Sequence, residues 1–482
     1  MADFDLAVIG AGAAGLSVTA VAAQLGVKVA LIEQARMGGD CLSSGCVPSK
    51  ALLAAAHAAE AIRNARRFGL RTPDPDIDWS AVQAHVHGAI AAIAPMDSEA
   101  RFRALGATVL RGTARFTAPD ALTVDGRRIT ARRIVIAAGS RATVPPIPGL
   151  DRLPCLTNET LFHLPVRPSH LVILGGGPIG LEMADAFTGL GARVTIVEAA
   201  RIAGREDPEL AAGLRAALAA RGVAFLEGTS VTAAEPGPSG SPVLLLADGS
   251  RIEASHLLVA VGRRPNLESL DLPAGAVRAS AAGIVTDSGL RSVSNRRVFA
   301  VGDIADPIGI GPRAFTHVGS YHAGIVVRRA LFRLPARLNY AALPRVTYTN
   351  PELAQVGLTE AEARAAGLRV SVLRWPLAEN DRAVAERDTA GLVKLVVARE
   401  RVVGAGILAP SAGEMIGTWT LAIAERTRIS HLAGMIVPYP TRAEAAKRAA
   451  GTLFLPALFA PRTRRIVAWL QRMPSPGRRA AR

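Results

Sequence analysis

Two segments of this chain carry the same succession of strand, glycine loop, helix, strand and terminal acid, and that repetition constrains the fold most. The first reads Asp5-Leu6-Ala7-Val8-Ile9, then Gly10-Ala11-Gly12-Ala13-Ala14-Gly15 opening an Ala-rich helix to about Leu25, then Val27 to Ile32 ending at Glu33. The second reads Leu171 to Leu174, then Gly175-Gly176-Gly177-Pro178-Ile179-Gly180, a helix through Leu190, and Arg193 to Val197 ending at Glu198. In each loop the first glycine permits a tight turn, the second lets backbone approach a pyrophosphate at the helix N-terminus, and the third brings helix against strand. The acid some twenty residues on is placed to hydrogen-bond a ribose. A glycine loop alone is a weak signal, whereas the whole succession is a specific one. Two such units predict an α/β chain with two Rossmann-like dinucleotide-binding domains and two cofactors, the natural pair being a flavin and a nicotinamide. Glu198 favours a free 2′-hydroxyl and hence NADH, while Arg201 and Arg205 just beyond it keep NADPH open.

Directly behind the first unit stands Gly38-Gly39-Asp40-Cys41-Leu42-Ser43-Ser44-Gly45-Cys46-Val47-Pro48-Ser49-Lys50. One slightly opened helical turn spans the gap between the cysteines, and the sulfurs would approach the ~2.05 Å of a disulfide if the chain relaxes at Gly45. A pair that opens and closes beside a bound redox cofactor is a candidate redox centre. Three cysteines in 482 residues make no structural disulfide framework. In a reducing compartment such a pair is catalytic or metal-binding. No second Cys or His pair stands at ligand spacing, so no metal site is expected. Cys155 reads as a buried small hydrophobe. Asp40, if it faces the sulfur, disfavours the Cys41 thiolate by like-charge repulsion.

The length suits three or four domains, and no apolar run approaches the ~20 residues of a bilayer span. The start of the chain lacks a signal-peptide pattern, so the reading is a soluble, cytoplasmic protein. The formal charge of +16 comes almost entirely from arginine scattered along the chain, with lysine only at 28, 50, 394 and 447. That is compositional bias, and no specific nucleic-acid partner is expected. The segment Arg462 to Met473 is basic on one side and apolar at Ile466, Trp469, Leu470 and Met473. Helical spacing would lay it on a membrane surface or on the protein itself, and docking or fraying is the favoured reading over peripheral membrane contact.

Further strands end in glycine: Ile134 to Gly139, followed by the prolines at 145, 146 and 148; Leu257 to Gly262; and Val298 to Gly302-Asp303, where the acid suits a ribityl or pyrophosphate contact. Pro236 to Pro242 reads as a hairpin tip. With these motifs in view, the chain resembles the class I pyridine nucleotide-disulfide oxidoreductases, in their branch of mercuric reductases and dihydrolipoamide dehydrogenases. Phe315-Thr316-His317-Val318 resembles the mercuric-reductase-like side of it. The resemblance implies an FAD domain (1–148, continued by 268–340) split by an NAD(P)H domain (149–267), an α+β dimerisation domain (341–455) opening at Thr349-Asn350-Pro351-Glu352, and here a basic tail (456–482). It implies a homodimer. It assigns Gly10, Gly12, Gly15, Glu33, Lys50, Ala114 (with Gly112 near the adenine), Gly139, Gly302, Asp303 and Thr316 to FAD. It assigns Gly175, Gly177, Gly180, Glu198, Val231 and Gly262 to NAD. It places Cys46 against the flavin and Cys41 towards substrate, with Lys50 beside the flavin and Glu182 as its carboxylate partner.

One departure matters. Disulfide reductases of this family carry His-Pro-Thr and then a Glu five residues after the His, and that His accepts the proton of the interchange thiol. This chain reads Tyr439-Pro440-Thr441-Arg442-Ala443-Glu444, so the Glu remains and the base is a tyrosine. An unperturbed phenol titrates near pH ~10 against ~6.5 for imidazole, which makes Tyr439 a hydrogen-bond donor first. His431, eight residues upstream, reads as a helix-end residue. No cysteine follows Cys155, so a C-terminal thiol relay is missing too. The expected activity is FAD-dependent transfer of electrons from NADH through the Cys41/Cys46 pair to a small-molecule acceptor: a quinone, a soft metal ion or a disulfide. A slow dihydrolipoamide dehydrogenase and a flavin-bound redox sensor are the alternatives.

Overall fold

The computed structural model describes residues 2–237 and 240–473. Two compact units emerge, Met1–Ile202 with Arg221–Asn339, and Ala203–Ala220 with Tyr340–Arg482.

In the first unit the apolar run Phe4–Ile9 becomes the central strand of a parallel sheet. It pairs with Val29–Glu33 on one side (Ala7 opposite Ala30) and Arg127–Ile136 on the other (Ala7 opposite Ile134). Thr108–Arg111 and Val298–Ala300 extend the two flanks. Leu6, Ala7 and Val8 are fully buried, as a strand covered on both faces must be, which explains why the sequence shows no polar alternation here. Arg127–Ile136 serves two sheets: its first half runs antiparallel to Ala121–Val124, and its second half joins the parallel core. The helix Ala13–Gln24 packs along Thr316–Ala330, where a Cβ on Gly319 would stand 3.0 Å from that of Ala14. Small residues on both sides permit that approach.

The second glycine loop sits in its own parallel sheet, ordered Val223–Glu227, Arg193–Glu198, His170–Leu174, His256–Val259, Cys155–Leu156. The hairpin expected at Pro236 to Pro242 joins Val231–Pro236 to Pro242–Leu246, with Pro238 and Ser239 outside the described residues. Cys155 corrects the sequence reading. It lies half-buried on a sheet edge, and its thiol donates to the Leu150 carbonyl at 3.6 Å. Partial burial pushes that thiol upward in pKa.

The second unit holds a five-stranded antiparallel sheet, ordered Pro344–Thr347, Glu352–Gly357, Arg401–Ala409, Leu392–Ala398, Val370–Pro376, with Trp419 buried in its core. The helix Pro208–Ala220 belongs to this unit and meets it closely. A Cβ on Gly406 would stand 2.4 Å from Leu210, and one on Gly213 would stand 2.6 Å from Leu408. Beside it the Lys394 ammonium is buried against Asp207, Glu209 (both 2.9 Å) and Glu360 (3.0 Å). Burial would pull that ammonium down, but hydrogen bonds to the three carboxylates hold its pKa above the usual lysine value.

Leu455–Leu458 and Pro461–Leu470 are helical, and neither helix buries a residue against the chain. Residues 474–482 lie outside the described residues.

Candidate redox site

Both glycine loops close in the same way. Gly10 N–H donates to Ile32 and Gly175 N–H to Val197, at 2.8 and 2.9 Å. A Cβ on Gly15 would lie 1.9 Å from the Gly10 carbonyl, and one on Gly180 would lie 2.0 Å from that of Gly175, so the helix start presses on the loop in both units. At the middle position the space is open: a Cβ on Gly12 would meet nothing closer than 3.9 Å, and one on Gly177 nothing within 4 Å. Neither Gly12 nor Gly177 supplies a side-chain cap, which leaves first-turn N–H groups aimed into that space. Open room over uncapped helix N-termini fits a pyrophosphate at each loop. Glu33 accepts from Ala11 and Ala35 N–H (2.7 and 2.6 Å), and Glu198 from Gly176 and Ala200 N–H (2.8 and 2.9 Å). Each carboxylate thus braces its own loop and retains lone pairs for a ribose hydroxyl.

The other cofactor candidates fall as follows. Ala114 opens the strand Ala114–Ala118 and is buried, while Gly112 has φ +137°. Gly139 (φ +66°) precedes Ser140, and Gly262 (φ +145°) precedes the short strand Arg263–Pro265 that pairs with Ser140–Ala142. Val231 begins its hairpin strand.

The cysteine segment is not one opened helical turn. Gly39–Ser43 and Cys46–Asn64 are separate helices, broken at Ser44 and Gly45, whose φ values are −148° and −136°. Cys41 therefore lies in the short helix and Cys46 heads the long one, and both are free thiols. Cys46 Sγ lies 3.1 Å from the hydroxyl of Thr316, the first residue of its helix. The two sulfurs are strongly unequal. A hydrogen bond from Cys41, aided by Thr316 and the Lys50 charge, outweighs the partial desolvation of the sulfur and brings the Cys46 thiol down to about 6. The same bond, burial and the neighbouring charge push Cys41 far up. One turn into the long helix, Lys50 Nζ meets Glu182 Oε2 at 2.8 Å, with Glu182 buried. The structure thus joins Cys41, Cys46, Thr316, Lys50 and Glu182 in one cluster.

Asp40 does not play the role expected of it. Its carboxylate is taken by Arg263, and the carboxylate whose charge acts on Cys41, after the charge of Cys46 itself, is that of Asp97. Arg263 also donates to the Ser140 hydroxyl (2.7 Å), which donates to Asp303 Oδ2 (2.6 Å). Behind Asp303, the Gly302 N–H donates to Nδ1 of buried His322 at 3.0 Å. Burial holds that imidazole down at about 4, so it is a neutral acceptor. Sequence reasoning missed Arg263, Ser140 and His322. Arg263 stands next to Gly262 and was visible there, but nothing local marks the other two.

In the second unit, Tyr439 is exposed and its hydroxyl donates to Asp381 Oδ2 at 2.7 Å. That bond and the Asp381 charge raise the phenol above its usual pKa. Glu444 instead pairs with Arg448 at 2.8 Å. His431 lies in the last turn of the helix Ile429–Gly434.

Residues 4–356 match the pyridine nucleotide-disulphide oxidoreductase family, and residues 343–450 match that family's dimerisation domain. The chain belongs to this family. Its members use FAD and NAD(P)H, and this chain is a flavoprotein disulfide oxidoreductase of the mercuric-reductase-like kind with the family's dimerisation domain. It is 38% identical over 463 residues to mercuric reductase of Streptomyces lividans, which covers 93% of this chain and 96% of the relative. It is 33% identical over 458 residues to dihydrolipoyl dehydrogenase of Geobacillus stearothermophilus, with coverages of 93% and 96%. Among solved structures, the Cu(II) complex of the HOCl-induced flavoprotein disulfide reductase RclA from Escherichia coli superposes with a TM-score of 0.83 at 27% identity. That match covers 94% of this chain and all of the other. Among the described residues no helix is long and apolar enough to cross a membrane.

Proposed function

We propose that this enzyme passes electrons from NADH to a soft metal ion, Cu(II) or Hg(II), through the Cys41/Cys46 pair. The observation that carries the reading is Tyr439, whose proton is committed to Asp381 at the position where disulfide reductases of the family place a histidine base. Exchange with a disulfide substrate needs something to take the Cys41 proton, and a phenol with a raised pKa does not supply it. A thiophilic cation needs no such base, because metal binding itself displaces thiol protons to solvent. Cys46 already offers a thiolate at neutral pH, and Cys41 releases its proton only when the cation binds.

Bound FAD supplies the link by which the two electrons of NADH reach the cysteines. Gly10, Gly12, Gly15, Glu33, Ala114, Gly139, Gly302, Asp303 and Thr316 would hold it, and Gly175, Gly177, Gly180, Glu198, Val231 and Gly262 would hold the nicotinamide dinucleotide. Lys50, fixed by Glu182, keeps a positive charge beside Cys46. Arg263 draws Asp40 away from the sulfurs. The balance is one NADH oxidised to NAD⁺ and a proton, with two Cu(II) reduced to Cu(I) or one Hg(II) to Hg(0). Support comes from the mercuric reductase relatives and from the Cu(II) complex of RclA.

The test is NADH oxidation by the holoenzyme dimer with Cu(II), thiol-complexed Hg(II), quinones, lipoamide and glutathione disulfide. Metal turnover that Cys46→Ser and Cys41→Ser abolish is the expected result, and Tyr439→His should raise lipoamide reduction at least about tenfold. Faster turnover of a disulfide or quinone by the unaltered enzyme would overturn the reading.

A further inference from the structure

From Gly451 to Arg482 the chain contains seven arginines and no acidic residue. The match to the dimerisation domain ends at residue 450, so this segment follows the family's interface-forming sequence. It is folded into the helices Leu455–Leu458 and Pro461–Leu470, clasped by a hydrogen bond from the Thr463 hydroxyl to the Ala457 carbonyl at 2.7 Å. Ile466, Trp469, Leu470 and Met473 fall at i, i+3, i+4 and i+7 and form one apolar stripe, and all four are exposed, Trp469 by 60%. Arg464 falls on the opposite side of the same helix and Arg465 on its flank, Arg472 follows its last turn, and Arg462 in its first turn shares the side of Ile466. Phe454 and Phe459 continue the exposed apolar surface next to it.

We propose that Pro461–Leu470 is an interfacial anchor that lays the enzyme on a bilayer rich in anionic lipids. A narrow apolar stripe bordered and backed by arginines, with a tryptophan at its edge and no acid, is the charge and shape complement of a headgroup layer over acyl chains. Each arginine near such a surface adds attraction that salt screens. A second copy of this chain would have to supply acids to match that arginine face, and the tail itself has none to offer. The helix lies on the surface and does not cross it, since Pro461–Leu470 is far shorter than a bilayer span.

The test is co-sedimentation of the full-length holoenzyme with vesicles of pure phosphatidylcholine and of equal parts phosphatidylcholine and phosphatidylglycerol, at low and high salt. Binding should occur on the anionic vesicles only, fall with salt, and drop at least about tenfold in both Trp469→Glu and Arg464→Glu/Arg465→Glu, with flavin content unchanged. No binding to anionic vesicles, or binding that survives both variants, overturns the proposal. A change in the mass of the assembly in Trp469→Glu by light scattering also overturns it, because it assigns the stripe to the contact between copies.

Discussion

Removing the Thr316 hydroxyl should raise the Cys46 thiol towards its ordinary range. In the structure that hydroxyl lies 3.1 Å from Sγ, and it is one of three groups holding the thiol near 6. A hydrogen bond to a charged group contributes about 1.5–3 kcal/mol when well buried. Cys46 is exposed, so solvent screening cuts this by about half, to roughly one pH unit at 1.36 kcal/mol per unit. In Thr316→Val the thiolate-to-thiol ratio at pH 7 should therefore fall from about ten to about one. The assay is the rate of iodoacetamide alkylation of the reduced holoenzyme against pH, with Cys41, Cys46 and Cys155 peptides resolved by mass spectrometry. The Cys46 profile should shift to higher pH in the variant while Cys155 stays where it was. An unshifted Cys46 profile would show that Thr316 does not stabilise the thiolate, and a downward shift would reverse the sign of the argument.

The two kinds of loop glycine should separate cleanly. Gly15→Ala puts a methyl 1.9 Å from a carbonyl and should destabilise even cofactor-free protein by about 1–3 kcal/mol, whereas Gly12→Ala enters open space and should leave the cofactor-free melting point nearly unchanged. Both should lose flavin, read as the flavin-to-protein ratio on purification; full flavin in Gly12→Ala would mean that no ligand backbone approaches there. Lys394→Met should cost about 3–5 kcal/mol by leaving the buried Asp207 carboxylate without its cation, measured as denaturant midpoint. Glu209 is held near 2 by hydrogen bonds from Arg374 and Lys394, so its contribution is present above the usual carboxylate range and is lost as pH falls towards 2. The acid limb of the stability curve should accordingly be steeper in the unaltered protein than in the variant, and parallel limbs would refute the linkage.

The nucleotide loops were legible because every requirement there is local: turn, close approach and packing are written within six residues, and the structure repeats the two loops almost bond for bond. Lys50 and Glu182 could be named from family resemblance, although only folding brings residues so far apart in sequence to 2.8 Å. What could not be read was the set of partners. Asp40 looked like a charge beside a thiol because Arg263, more than two hundred residues on, is invisible from there. The helical turn expected between the cysteines failed for a backbone reason, since Ser44 and Gly45 leave helical dihedrals and split it in two. Phenol chemistry alone makes Tyr439 a donor, but its acceptor, Asp381, lies on the helix Asp381–Ala385, out of sight of the local sequence.

The membership of Pro208–Ala220 in the C-terminal unit has a consequence for the order in which the chain can fold. This helix leaves the ribosome long before the strands it packs against, with Leu210 and Gly213 waiting for Gly406 and Leu408. Asp207 and Glu209 likewise stand as a pair of acids until Lys394 is made. Residues 343–450, although matched as a domain by sequence, are therefore not a self-sufficient folding piece: expressed alone they would bury a lysine missing two of its three carboxylates. A cut at residue 340 would separate the sheet from part of its own interior, and this unit cannot be completed until a late strand meets an early helix.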